Sequence, residues 1–255
     1  MKITKVSWNE FKEKVYAFSN INYRRMIFRG QADVKWDLKT SFHRENEKVS
    51  NKYTFLDYIE YLKQYSYRYS EYLTQKEGIY ENDYDVLQYL SFLQQHGCPT
   101  PLLDWTESPF IAVYFAFKDS YNLNFDHGDV RIYCFDIWLW RDRWAQSFQL
   151  DIEHDHLSIF YANSKGNPRL IQQQGLYTIS NTANIIQYLD SKGQQAKQLR
   201  SLEVEDEYIH AYDIPVTERN NAIKELHLMG VSEMSLFPGP DGTCRYLKQD
   251  LFREN

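Results

Sequence analysis

An arginine stands where a buried strand would ordinarily carry an apolar side chain: Arg29, within Met26-Ile27-Phe28-Arg29-Gly30-Gln31. A second run, His96-Gly97-Cys98-Pro99-Thr100-Pro101-Leu102-Leu103-Asp104-Trp105-Thr106-Glu107-Ser108-Pro109, sets a carboxylate and hydroxyls among large apolar residues. A guanidinium withdrawn from water needs a fixed anion, either a protein carboxylate or a ligand. Arg29 therefore either pairs internally, with Asp104 as the partner, or clamps a bound anion. If the pair is buried glue, cutting one partner costs ~3–5 kcal/mol, because the survivor is stranded.

The other polar residues also carry both structural and functional readings. Asp104 either bonds the tight Pro99–Pro101 backbone, caps the helix that begins near Ser108, or lines a site. Thr106 and Ser108 are N-cap candidates for that helix or ligand contacts. His96 is a cation at a helix C-terminus or a proton carrier. Gln173, in Gln172-Gln173-Gln174-Gly175, bonds backbone at the core edge or touches a ligand. Cys98 lies two residues from His96, a spacing that shares a strand face without giving a thiol its general base.

Several chemistries are excluded by absent patterns. The chain has no Gly-x-x-x-x-Gly-Lys-Ser/Thr phosphate loop, no Gly-x-Gly-x-x-Gly and no Gly-x-Ser-x-Gly elbow. Asp126, Asp129 and Asp136 are a weak cluster for magnesium. Cys98, Cys134 and Cys244 are odd in number and widely spaced, which fits reduced thiols and no zinc site. A net charge of −6 argues against a dedicated DNA binder. With no apolar run near ~20 residues and no signal-peptide pattern, a cytoplasmic protein without membrane contact is expected. Aromatics reach 16%, with 21 Tyr; they supply bulk at the core edge, or some stack on a planar ligand.

The 255 residues suit one domain. Ser7 and Glu10 form a capping box for a helix over 7–19, with Trp8, Phe11, Val15 and Phe18 at helical spacing. Further helices are expected over 51–77, 83–95 (stopped by Gly97), from Ser108 onward, and over 217–229; residues 243–253 are helix or coil. Strands are expected near 26–30, 102–106, 129–137, 175–180, 208–214 and 231–237. Residues 36–42 are expected to be extended or turning, and 190–200 a surface loop. The fold class is α+β, a mixed sheet core with a helical N-terminal half.

Four ordered blocks resemble the FRG domain. They are Phe28-Arg29-Gly30-Gln31 with Trp36-x-Leu38 and Ser41-Phe42-x-Arg44; Gln95-His96-Gly97-x-Pro99-Thr100-x-Leu102-Leu103-Asp104-Trp105-Thr106 with Ala112-x-Tyr114-Phe115-Ala116; Arg169-x-x-x-Gln173-x-Gly175; and Leu236-Phe237-Pro238-x-x-Asp241-Gly242. The resemblance spans about residues 25–247, so a single domain is expected over 1–255. Pro101 departs from the family's usual arginine, removing one partner from Asp104, and Gly239-Pro240 replaces the usual Asp-Leu.

The blocks also look like a distant version of the three-part ADP-ribosyltransferase site, which implies a split sheet and NAD as substrate, with no metal. On that resemblance Arg29 holds the NAD phosphate or ribose hydroxyls, and Asp104, Trp105, Thr106 and Ser108 support the nicotinamide end. Glu233 becomes the catalytic carboxylate beside the oxocarbenium-like centre, where preorganised charge is worth several kcal/mol. The implied role is a mono-ADP-ribosyltransferase-like effector in phage defence or a toxin system, acting on a protein or nucleic-acid acceptor and working with a partner protein of that system. The alternative is a sensor in which Arg29, Gln31, His96 and Gln173 bind a nucleotide or a protein without turnover. Either way, Arg29, the Asp104–Ser108 segment and Gln173 are expected to converge on one cleft.

Overall fold

A computed structural model describes residues 1–22, 25–68, 82–122, 128–164, 167–201, 203 and 205–251. Its strands are β1 (Lys2–Lys5), β2 (Met26–Gln31), β3 (Leu102–Thr106), β4 (Asp129–Asp136), β5 (Leu157–Phe160), β6 (Gly175–Ser180) and β7 (Ile209–Pro215). They form one mixed sheet in the order β1-β7-β4-β2-β3-β6-β5. Only β1 against β7 is parallel. The described helices are α1 (Trp8–Asn22), α2 (Ser41–Lys48), α3 (Phe55–Arg68), α4 (Asp83–Gln95), α5 (Pro109–Asn122), α6 (Ile137–Arg143), α7 (Pro168–Gln172), α8 (Ile185–Arg200), α9 (Arg219–Leu228), α10 (Glu233–Leu236) and α11 (Pro240–Leu251). The fold is α+β.

Strand alternation sorts the apolar residues into cores on the two sheet faces. On one face Phe28, Val130, Ile132 and Ile214 pack under α1, α5 and α9 through Trp8, Phe11, Val113, Phe117 and Leu226. The same face continues under α3 and α4, where Leu102, Tyr177 and Ile179 meet Ile59, Leu87 and Leu90. The opposite face carries Ile27, Leu103, Trp105, Tyr133 and Phe135 against Trp140, Ile185 and Leu189 of α6 and α8. Part of the aromatic surplus fills these cores: Trp8, Trp140, Tyr133 and Tyr208 are among the largest fully buried side chains, whereas Tyr16, Trp36 and Trp138 are exposed.

Local signals set several boundaries. Ser7 and Glu10 close the expected capping box on α1, Ser7 N to Glu10 Oε2 at 2.7 Å and Glu10 N to Ser7 Oγ at 3.3 Å. Asn82 caps α4, and His96 ends it before Gly97 takes a positive φ of 84°. Ser108 Oγ accepts from Ile111 N at the start of α5, followed by Pro109 at its first position.

Three expectations are corrected. Residues 231–237 are not a strand: Ser232 and Ser235 form a reciprocal cap that starts α10. Residues 190–200 are not a loop but the second half of α8. Their lysines and glutamines form its wet face, while Leu189, Gly193 and Ala196 are buried. Residues 36–42 extend only to Thr40, whose hydroxyl caps α2. The strands β1 and β5 and the helices α2, α6 and α7 were not anticipated. The expected helix over 51–77 is seen as α3 to Arg68; its remainder, the Phe18 side chain and Asp126 lie outside the described residues.

Candidate functional site

The order Phe-Arg-Gly follows from where β2 lies. Phe28 points into the core beneath α5. Gly30 lies so close beneath α5 that a Cβ there would sit 2.0 Å from the Ala112 carbonyl oxygen and 2.9 Å from the Ala116 Cβ. Helix α5 therefore rests directly on the β2 backbone, and only glycine fits. Arg29, between them in sequence, starts on the other face, in register with Tyr133.

The sheet is nearly divided at this point. Six residue pairs join β2 to β4, but β2 meets β3 at the single pair Phe28–Thr106. Beyond that pair the ladder does not continue, and the Arg29 side chain crosses this seam to reach β3. Its Nη1 donates to the Asp104 carbonyl oxygen at 2.8 Å and stands 3.8 Å from Asp104 Oδ2. The guanidinium thus supplies a contact that the strand ladder omits. Its Nε is buried without a hydrogen-bond partner, whereas the side chain as a whole retains 18% exposure.

Asp104 lies in mid-strand in the sheet interior, yet its side chain is 61% exposed. By alternation it shares a face with Leu102, between the core under α5 and the core under α4. Across the β3–β6 ladder it pairs with Tyr177, whose phenol is held protonated by burial and by the Asp104 charge, and which bonds the Gln95 side chain. Burial lowers the Arg29 pKa from its ordinary value; Asp104 opposes this, Arg44 adds to it and Asp119 opposes it. Guanidinium nonetheless keeps its proton in proteins. Two arginines and two aspartates from β2, α2, β3 and α5 therefore share one electrostatic neighbourhood.

Thr106 and Gln173 join the same end of β3. Thr106 Oγ1 donates to the Gln173 carbonyl oxygen at 2.7 Å and accepts from Ser108 N at 3.1 Å. Gln173 Nε2 donates to the Leu236 carbonyl oxygen at 3.1 Å. The structure thus brings Arg29, the Asp104–Ser108 segment and Gln173 together, but the polar atoms of Thr106, Ser108 and Gln173 are spent on backbone. Gln31 is 5% exposed; its Nε2 donates to the Asp37 carbonyl oxygen at 3.2 Å, and its Oε1 has no partner. His96 is the exposed C-cap of α4, its ring 4.6 Å from that of Phe92.

Trp105 requires a correction. It is 3% exposed on the face opposite Asp104, in the core with Phe135, and its Nε1 donates to Thr178 Oγ1 at 3.0 Å. An indole committed there has no open face for a nicotinamide ring.

Glu233 also departs from the expected strand position: it opens α10 and is buried. Its side chain has no exposure, and it accepts from Tyr114 at 2.9 Å, from Lys118 (2.8 Å to Oε2) and from Arg245 at 2.6 Å. Burial raises its carboxyl pKa, but these three donors outweigh burial and hold it below the usual carboxylate range. The surrounding cations also crowd Phe237: Lys118 Nζ is 4.3 Å, Arg245 Cζ 5.1 Å and Arg169 Cζ 5.7 Å from its ring centroid. Saturated in this way, Glu233 fastens α10 and α11 to α5 and has no oxygen free for a ribose hydroxyl.

Arg44, Asp119 and Tyr177 belong to the neighbourhood but were not nominated from the sequence. Arg44 had a signal, as the last residue of the Ser41-Phe42-x-Arg44 run. Asp119 and Tyr177 had none, because their positions depend on how α5 and β6 pack. Among the described residues no three His, Cys, Asp or Glu side chains are placed to hold a metal, and no helix is long and apolar enough to cross a membrane. The three cysteines are unpaired.

A family model described as the FRG domain matches residues 24–124. The match takes in β2, α2, α3, α4, β3 and α5, hence Arg29, Arg44, Asp104 and Asp119; the blocks at 169–175 and 236–242 lie beyond it. Comparison with curated proteins and with solved structures gave no match.

Proposed function

With an FRG domain at residues 24–124, the chain belongs to that family, and from this premise we propose that the seam between β2 and β3 binds NAD or a related dinucleotide and breaks its nicotinamide–ribose bond. The observation that carries this reading is Arg29: a seam arginine with a buried, unpartnered Nε beside a mid-sheet aspartate open to solvent. A guanidinium held by only one carbonyl and a distant carboxylate keeps donors for a phosphate or ribose oxygen. The near-division of the sheet into four strands and three supports the ADP-ribosyltransferase-like expectation.

The carboxylate assigned to the developing oxocarbenium-like charge is Asp104 rather than Glu233, since Glu233 is sealed by its three donors. Asp104 is exposed, sits against Arg29 and can reach a ribose hydroxyl without first breaking a strong bond. Charge placed in advance in this way is the main catalytic contribution such a site can make. The acceptor is a protein or a nucleic acid, and the setting is a cytoplasmic defence or toxin system with a partner protein.

The second reading is a sensor that binds the nucleotide without turnover, and the sequestration of Glu233 is what favours it. One experiment separates the two: calorimetric titration of the purified chain with NAD, alongside chromatography for free nicotinamide. Binding with nicotinamide release supports the enzyme, and binding without release supports the sensor. No binding by the wild type, or equal binding by Arg29→Lys, would sink both.

A further inference from the structure

Lys118 of α5, Arg169 of α7 and Arg245 of α11 converge on one ring, that of Phe237. Lys118 Nζ lies 4.3 Å, Arg245 Cζ 5.1 Å and Arg169 Cζ 5.7 Å from its centroid. The three charges therefore fall within about one Debye length of each other, about 10 Å at 0.1 M salt, and screening does not separate them. Among the described residues, one carboxylate answers them by contact: Glu233 takes Lys118 at 2.8 Å and Arg245 at 2.6 Å. Asp119 acts on Lys118 and Glu233 only at a distance. Even with both carboxylates counted, the cluster keeps an excess of positive charge.

Arg169 is the unanswered member. Among the described residues its side chain makes no hydrogen bond and no ion pair, and none of its nitrogens is buried. Contact with the Phe237 ring restrains the guanidinium without using its N–H groups, which stay available for a two-point grip on an anion. The mount is fixed. Gln173, the C-cap of α7, donates through Nε2 to the carbonyl oxygen of Leu236, the residue before Phe237, at 3.1 Å, and its own carbonyl accepts from Thr106 Oγ1 at 2.7 Å. The blocks at 169–175 and 236–242, which the seam leaves without a role, thus meet at this cluster.

We infer that Arg169, Arg245 and Lys118 bind a phosphate group beside Phe237, with Arg169 as its principal donor and Glu233 as the positioning residue that holds the other two. The cluster has the extent of one phosphate. A nucleic-acid backbone is held by cations spread along a groove, whereas these three share one ring and the chain carries a net charge of −6. The ligand class is therefore a phosphate monoester, free or on a small nucleotide. The site stands apart from the seam and does not depend on cleavage of a nicotinamide–ribose bond.

The test is calorimetric titration of the full chain with inorganic phosphate, AMP and a short single-stranded oligonucleotide that lacks terminal phosphate. Wild type should bind phosphate and AMP saturably, and more weakly as salt rises. Arg169→Gln should lose about 10–100-fold in affinity, the range for a hydrogen bond to a charged group. Arg169→Lys, which keeps the charge but not the fork, should fall between the two. The loss on Arg169→Gln should be the same in an Arg29→Lys background, and the urea midpoint of Arg169→Gln should stay close to wild type, since no hydrogen bond of the fold is removed. A wild type that binds neither phosphate nor AMP overturns the site, as does equal affinity in Arg169→Gln or a loss that follows Arg29→Lys instead. Binding of the oligonucleotide alone, abolished by Arg169→Gln, overturns the monoester assignment in favour of a nucleic-acid backbone.

Discussion

Gly30 and Ala112 touch backbone to backbone: a Cβ on Gly30 would lie 2.0 Å from the Ala112 carbonyl oxygen. That contact sets α5 directly onto the β2 backbone, next to Arg29 in the chain. Gly30→Ala cannot be absorbed by a side-chain rotation, because the obstacle is helix backbone. It should destabilise the protein by at least the about 1–3 kcal/mol typical of overpacking, read as a lowered denaturation midpoint. A midpoint equal to wild type would show that α5 is free to lift, contrary to the packing described here.

Glu233 should behave as a structural residue. Replacing it with Ala strands the largely buried Lys118 and removes the acceptor for Tyr114, a loss on the order of 3–5 kcal/mol for a buried ionic partner. Glu233→Gln keeps the shape and some of the hydrogen bonds, so about 1–3 kcal/mol is expected. The folded fraction of Glu233→Gln should still bind NAD and release nicotinamide at the wild-type rate. Loss of turnover with stability intact would return the catalytic carboxylate to Glu233.

Much of this architecture was legible because short-range rules governed it. The α1 capping box, the start of α4, the Ser108-Pro109 start of α5 and most central strands follow from residues within a few positions of one another. What was not legible depended on partners distant in sequence. Val231 to Phe237 has strand-like composition, but the Ser232–Ser235 cap and the pull of Tyr114 and Lys118 on Glu233 make it a helical turn. The lysines and glutamines of 190–200 suggested a loop, because the buried stripe of α8 is thin and includes a glycine packed against Asp206. At the site, the Arg29–Asp104 proximity could be expected from two polar intrusions, but alternation alone did not reveal that Trp105 and Asp104 serve opposite faces.

Acid should weaken the fold between about pH 7 and 5. Burial lowers the pKa of His43, His156 and His210 below the ordinary histidine value. In that range the unfolded chain binds more protons than the folded one, so stability rises with pH. The contribution is complete above the unfolded value of about 6.5 and is lost as pH falls through it toward the folded values. His156 is the sharpest case: both ring nitrogens are buried without a hydrogen bond, and burial outweighs the Asn181 side chain and the His154 backbone, which favour the charged ring. Urea midpoints at several pH values should fall across this window, and His156→Phe should flatten the fall. Midpoints independent of pH would contradict the burial of these rings.

Asp104→Asn distinguishes glue from clamp at the seam. Were the Arg29–Asp104 pair a buried structural bridge, neutralising Asp104 would cost ~3–5 kcal/mol. The geometry points elsewhere: the carboxylate is 61% exposed and 3.8 Å from Nη1, and the shorter 2.8 Å bond goes to the Asp104 backbone carbonyl, which the substitution leaves in place. An exposed pair of this kind contributes about 0–1 kcal/mol, so the thermal midpoint of Asp104→Asn should stay close to wild type. Nicotinamide release should drop by about 10²–10³-fold, the range for removing one preorganised charge-stabilising group, while NAD still binds through Arg29. A large fall in stability with turnover intact would make the seam a brace for the two halves of the sheet and leave the bond-breaking role without its carboxylate.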